Sequence, residues 1–192
     1  VLKLKLIDLM NGINITSDTI KLTPQYKFYF ENNQAVIEII NQDHTIGNLL
    51  TDYMKRLKVD HVINYEENKN KTLYKETDTL LEVATYRIEH PLQNILRFKM
   101  KMHKIAQETY AAVYKDNTWD EPTRRKAPYL MIFYKTMQLI VHQLNELNTS
   151  FIVGQSRKIE GTAGILNATD KVEEPAFRIL DDAYKENFFY EN

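Results

Sequence analysis

Seven apolar residues, Leu130, Phe133, Met137, Ile140, Leu144, Leu147 and Phe151, follow one another at intervals of 3, 4, 3, 4, 3 and 4. That spacing holds one stripe on one side of an α-helix and requires a surface for the stripe to pack on. Residues 129–152 are therefore expected to be helical. Pro128 suits a first helical turn and Gly154 suits the position just past a helix end, which sets the expected limits. A helix resting on its own sheet needs only one such stripe. This one also carries Tyr129, Ile132, Tyr134 and Val141 outside the seam, and the surplus implies contact with a second protein.

A second helical period runs through Ile46, Leu49, Leu50, Tyr53, Met54 and Leu57, the spacing of one helical face. Asp43 or Thr45 just before it can accept the free amide hydrogens of a first turn. Gly47 weakens that helix by about 1 kcal/mol relative to Ala, and its expected use is to let another backbone come close. Extended runs are expected at residues 2–9, where Leu and Lys alternate, and at 26–30 and 35–40, with a turn at Asn11 and Gly12. Two more are expected at 80–88 and 94–102, separated by a turn at His90 and Pro91. Residues 59–65 read as a short strand, and residues 66–78 as a charged, Asn-rich insertion. Residues 105–114 suit a short helix, followed by a polar loop containing Trp119, Pro122 and the cluster Arg124, Arg125 and Lys126. Beyond residue 154 an acidic tail ends in Phe188, Phe189 and Tyr190. The expected fold class is α+β, a small, mostly antiparallel sheet with helices 46–57 and 129–152 on one face.

Composition removes several kinds of chemistry. The 192 residues hold no cysteine, so disulfides, thiolate metal sites and a cysteine nucleophile are absent from this chain, and an intracellular setting is expected. Lys plus Arg number 25 against 26 Asp plus Glu, without the basic excess by which a dedicated nucleic-acid binder displaces phosphate counterions. Three basic residues at 124–126 beside Asp116, Asp120 and Glu121 read as solvated surface. No apolar run is long enough to span a membrane. The five histidines, His44, His61, His90, His103 and His142, never fall at the spacing that offers a metal two ligands from one helix face. There is no Gly-rich phosphate loop and no nucleophile elbow. Asp43 beside His44 suggests an oriented base, but adjacent side chains diverge, and helix capping is the better reading.

Two blocks are more specific than these patterns. Residues 37–57, IEIINQDHTIGNLLTDYMKRL, resemble the signature of the small alpha-like subunits of multisubunit DNA-directed RNA polymerases. That family comprises the eleventh subunit of the eukaryotic enzyme, the archaeal L subunit and the bacterial alpha amino-terminal dimerisation domain. In it a strand leads into an Asp-His-Thr-hydrophobic-Gly-Asn turn that opens the first helix, matched here by Asp43, His44, Thr45, Ile46, Gly47 and Asn48. Residues 83–100, VATYRIEHPLQNILRFKM, resemble the second block, where a strand ending in His-Pro-Leu turns into another, here at His90, Pro91 and Leu92. The family closes with a long helix bearing an apolar seam, so the likeness covers roughly residues 20–153. The chain departs from the family in insertions at about 58–79 and 103–127, in Glu89 before His-Pro, in Thr85-Tyr86 where Gly-Tyr is usual, and in the tail.

The resemblance implies a dimerisation domain over 1–153 and a C-terminal extension over 154–192. It implies a non-catalytic assembly subunit that heterodimerises with a larger alpha-like subunit of the third-subunit type, the pair scaffolding the two large catalytic subunits. The implied interface is Ile46, Gly47, Leu49, Leu50, Tyr53, Met54 and Leu57 with Leu130, Phe133, Met137, Ile140, Leu144, Leu147 and Phe151. No cofactor, metal, membrane or sequence-specific nucleic-acid contact is implied. The divergence, with abundant Lys, Asn and Ile, fits the polymerase of a large DNA virus, which would act in the host cytoplasm or virion, whereas a cellular enzyme would act in the nucleus. The rival readings are a coiled-coil-type adaptor unrelated to transcription and a small enzyme that uses His44 or His90 as a base.

Overall fold

The computed structural model describes residues 1–58, 79–88, 94–115 and 117–161, with side chains described as far as Ile152. The expected strand at 59–65, the insertion at 66–78, the His90–Pro91 turn and the tail after residue 161 lie outside the described residues. The chain divides into two units, Val1–Ser150 and Phe151–Asn192.

The class is α+β. In chain order the first unit contains α1 (Leu2–Asn11), β1 (Ile13–Ile15), β2 (Ile20–Leu22), β3 (Tyr26–Glu31), β4 (Gln34–Ile40), α2 (His44–Arg56), β5 (Leu81–Ile88), β6 (Ile95–Met102), α3 (Lys104–Val113) and the start of α4 (Glu121–Gly161). β1 and β2 form a two-stranded sheet, and the larger sheet runs β3-β4-β6-β5, antiparallel throughout.

Residues 2–9 are a helix and not the expected strand. Leu2, Leu4 and Leu6 satisfy a period of two, but Leu2, Leu6 and Leu9 satisfy the helical one. Burial decides between them, because Leu6 and Leu9 are inaccessible while Leu4 is 69% exposed. Leu, Lys and Met also favour helix over the β-branched and aromatic composition of strands. The turn at Gly12 ends this helix, its amide donating to Leu9 O.

β3 and β4 form a tight hairpin. Glu31 faces Gln34 across a two-residue loop, Asn32-Asn33, whose φ values of 48° and 62° suit the twist of a hairpin turn. Alternation then sorts the four strands into two faces. Ala35, Ile37 and Ile39 of β4 pair with Met100, Phe98 and Leu96 of β6, and all six are buried beneath the helices. α2 lies over β5, and Phe133 of α4 meets Phe98 of β6 edge-on at 5.1 Å.

The opposite face is polar. Glu38, only 9% exposed, accepts hydrogen bonds from Tyr29 Oη at 2.7 Å and from Arg97 Nε and Nη2 at 2.9 and 2.6 Å. Burial alone would raise the Glu38 carboxyl, but the hydrogen bonds from Tyr29 and Arg97, with the Arg97 and Lys27 charges, outweigh it and hold the group below the usual carboxylate range. Lys99 pairs with Glu31, and Lys101 with Glu82 at 2.9 Å, on strands of the same sheet. Cross-strand ion pairs of this kind fix strand register as much as stability.

α4 is longer at both ends than residues 129–152. It starts at Glu121, with Asp120 accepting the Thr123 amide at 2.9 Å as a cap, and Pro122 rather than Pro128 occupies the first turn. Pro128 is interior, and Gly154 does not stop the helix. The basic cluster 124–126, expected in a loop, therefore sits on the opening turns of a helix.

Candidate functional site

The Asp43 motif builds a helix start. The Asp43 side chain accepts from the amides of Thr45 at 2.9 Å and Ile46 at 3.3 Å, and Lys5 Nζ on α1 lies 3.2 Å from its other oxygen. The Ile46 amide first, and then Lys5, hold the Asp43 carboxyl below its ordinary value. Asn48 is exposed on the outer side of the helix. His44 is exposed, its Nδ1 lying 3.2 Å from Tyr86 Oη. Asp43 is thus spent on the backbone of α2 and does not orient the imidazole. Among the described residues no group of three or more His, Asp or Glu converges to hold a metal.

Gly47 has a clear use, though not the expected one. A Cβ built there would lie 2.4 Å from two ring carbons of Tyr86, so the close approach is by a side chain of this chain's own β5. The ring cannot simply step aside, because it is also set against Phe98 and His44. Gly47→Ala gains about 1 kcal/mol of helix propensity but overpacks a filled contact, which costs about 1–3 kcal/mol. The variant is expected to be less stable in urea unfolding, and Tyr86→Ala in the same chain is expected to turn Gly47→Ala into a stabilising change. Additive effects of the two substitutions would show that they do not meet.

The helical stripes divide into buried and open parts. Ile46, Leu50, Met54 and Leu57 of the first stripe are 0–2% exposed, Gly47 is buried with them, and Leu49 and Tyr53 are half-buried. Leu130, Phe133, Met137 and Ile140 of the second are likewise 0–2% exposed, inside this chain's own core. These positions lie within this chain's own core. The reason is the sheet: its apolar face needs cover, and the two helices supply it. Leu144 is half-buried at the border of the core. Leu147 is 67% exposed, and in the second unit Phe151 and Ile152 are 64% and 54% exposed. Tyr53 Oη donates to Gln143 Oε1, tying α2 to α4 at the level where the seam leaves the core.

Sequence reasoning missed two features. Tyr86 serves both Gly47 and His44, and nothing short of the β5 register announces it. Arg125 lies over the ring of Phe30, its guanidinium carbon 4.6 Å from the centroid; the signal was the run Arg124-Arg125-Lys126 in the first turns of a helix, where the dipole disfavours cations. Among the described residues, no helix is long and apolar enough to cross a membrane. Compared with models of known protein families and with curated protein sequences, the chain matches none.

Proposed function

We propose that the chain is a non-catalytic assembly subunit of a DNA-directed RNA polymerase, pairing with a larger alpha-like subunit to form the platform for the two large catalytic subunits. The observation that carries the reading is the open end of the α4 seam. A stripe that begins as core at Leu130 and Phe133 ends with Leu147 at 67% exposure, and large exposed apolar side chains on a regular helix suit a second helix better than water. The two sequence blocks that resemble the family support it as well. Residues 37–57 and 83–100 lie far apart in the chain, yet β4, β6 and β5 are neighbours in one sheet and α2 packs on it.

The partner-facing residues of the first unit are then Leu49, Tyr53, Leu144 and Leu147, a smaller set than the stripes alone suggest. The chain contributes no group to nucleotide addition and works where its polymerase assembles, the nucleus for a cellular enzyme or the host cytoplasm or virion for that of a large DNA virus.

Gentle affinity purification of the tagged full chain from its native cell or infected host, with stoichiometry read by mass spectrometry, tests the proposal. Two very large polymerase subunits and a larger alpha-like protein are expected in equal amounts. Recovery alone or as a stable homodimer would overturn it and favour an adaptor unrelated to transcription.

A further inference from the structure

Among the described residues, β3 is the outermost strand of the four-stranded sheet and pairs only with β4. The hairpin fixes which of its backbone groups that pairing uses. Glu31 and Gln34 close a two-residue loop, and at the other end the Ile40 amide donates to Gln25 O. In an antiparallel pair bonded and non-bonded positions alternate, so Lys27, Tyr29 and Glu31 spend their amides and carbonyls on β4. Phe28 and Phe30 turn theirs outward, where no described group bonds them. Proteins usually blunt such an edge with proline, a bulge or charge. β3 has a regular six-residue register, no proline, and Lys27 as its only cation.

The ground beside that edge is shaped and charged. A hollow of about 340 Å³ runs between β3 and the head of α4, floored by Phe28 and Phe30 and walled by Pro122, Arg125 and Lys126. Arg125 rests on Phe30 and has no carboxylate partner among the described residues. Lys27, 73% exposed, already faces Glu38 at 4.0 Å on the other side of the strand, so the positive charge open to a partner is that of Arg125 and Lys126. Glu121 alone opposes them in the hollow. Arg124 donates to Asn117 O and Trp119 O and ties down the approach to α4, whereas Arg125 and Lys126 stand against the helix dipole and line the hollow.

We infer that the free edge of β3 receives an extended acidic segment of a protein partner, added to the sheet as a fifth strand. Backbone pairing with Phe28 and Phe30 supplies affinity, and alternate side chains supply choice. An apolar side chain of the segment enters the hollow over Phe28 and Phe30. A carboxylate two residues along, on the same face of the added strand, meets Arg125 and Lys126 under α4, and the residues between them face the other side of the sheet. The edge is separate from the α4 seam, so this inference and the polymerase proposal stand or fall apart.

The probe is a capped ten-residue peptide in which every second position carries Val and Glu in turn, with Thr between them, so that Val and Glu share one face; a Lys-for-Glu version and a version N-methylated along one backbone edge are the controls. Amide hydrogen exchange of the full chain is followed by nuclear magnetic resonance. Exchange at Phe28 and Phe30 is expected to be fast in the free chain and to slow at least tenfold with the Glu peptide. Arg125→Glu and, separately, Lys126→Glu are expected to weaken binding about tenfold without moving the thermal transition, and the N-methylated peptide is expected not to bind. Equal binding of the Lys peptide, or binding without protection of Phe28 and Phe30, overturns the inference. So does protection in the free dilute chain, which would mean that the chain covers its own edge, or protection that grows with protein concentration alone, which would mean that a second copy does.

Discussion

Phe133→Ala is expected to lower the unfolding free energy by about 3–5 kcal/mol, whereas Leu147→Glu, fourteen residues along the same seam, is expected to leave it within about 0.5 kcal/mol. Phe133 is inaccessible to water and fixed edge-on against Phe98, so truncation removes a ring from a filled space that the sheet cannot close. Domains of this size hold only about 5–15 kcal/mol in total, and the loss would bring the chain near unfolding at body temperature. Leu147 is 67% exposed, and Glu forms helix about as well as Leu. Urea unfolding followed by circular dichroism measures both effects. Co-purification then reads the reverse order: Leu147→Glu, alone or with Phe151→Glu, is expected to lose the partner while remaining folded. Strong destabilisation by Leu147→Glu would show that this end of the seam is packed within the chain, and a folded variant that keeps its partners would remove the seam from the interface.

That contrast marks how far the seam was legible. Heptad spacing reports that a stripe is covered and is silent on what covers it, so Leu130 and Leu147 looked alike in sequence although one is core and the other open. α2 was readable because cap and period agree: Asp43 bonds two first-turn amides, and Ile46, Leu50 and Met54 fall on one face. β3 and β4 were readable from their aromatic and β-branched runs, with Asn32 and Asn33 between them supplying positive φ. α1 was not, since alternating Leu and Lys fits both periods over six residues and only the burial of Leu9 beside Leu6 breaks the tie. The start of α4 was hidden because Pro128 looked like a first-turn residue, whereas Pro122 is one. Glu38 and Arg97 are 59 residues apart, and no local pattern pairs them; the sheet order does. Gly47 announced a close approach but not its source, which the β5 register assigns to Tyr86.

Stability is expected to fall above about pH 10, and the buried tyrosines Tyr26, Tyr110 and Tyr129, whose hydroxyls burial raises, set the slope with the half-buried Tyr114. Burial, and then the Asp8 charge, raises the Tyr26 hydroxyl far above its ordinary value, while that hydroxyl donates to Leu9 O at 2.7 Å. Burial first, and then Tyr114, raises Tyr110 well above its usual range, and burial pushes Tyr114 up to about 12. In the unfolded chain each ionises near pH 10. Above that pH the folded state therefore holds protons that the unfolded state has released, and stability declines as pH rises. Below about pH 10 both states are protonated and these groups confer no pH dependence. At pH 11 a buried hydroxyl such as that of Tyr26 costs about 1.4 kcal/mol, because the unfolded form gains that much by ionising, and the half-buried Tyr114 costs less. Tyr29, raised to about 12 by burial and then by its hydrogen bond to Glu38, lies on the solvent side of the sheet and adds less. Urea titrations between pH 9 and pH 11, with tyrosinate absorbance followed in the folded chain, measure both sides of the linkage. Tyr26→Phe is expected to make the decline shallower while costing about 1 kcal/mol at neutral pH for the bond to Leu9. A stability that stays flat across that range would mean that these hydroxyls ionise without unfolding, and hence that water reaches the space between α1, α3 and the sheet.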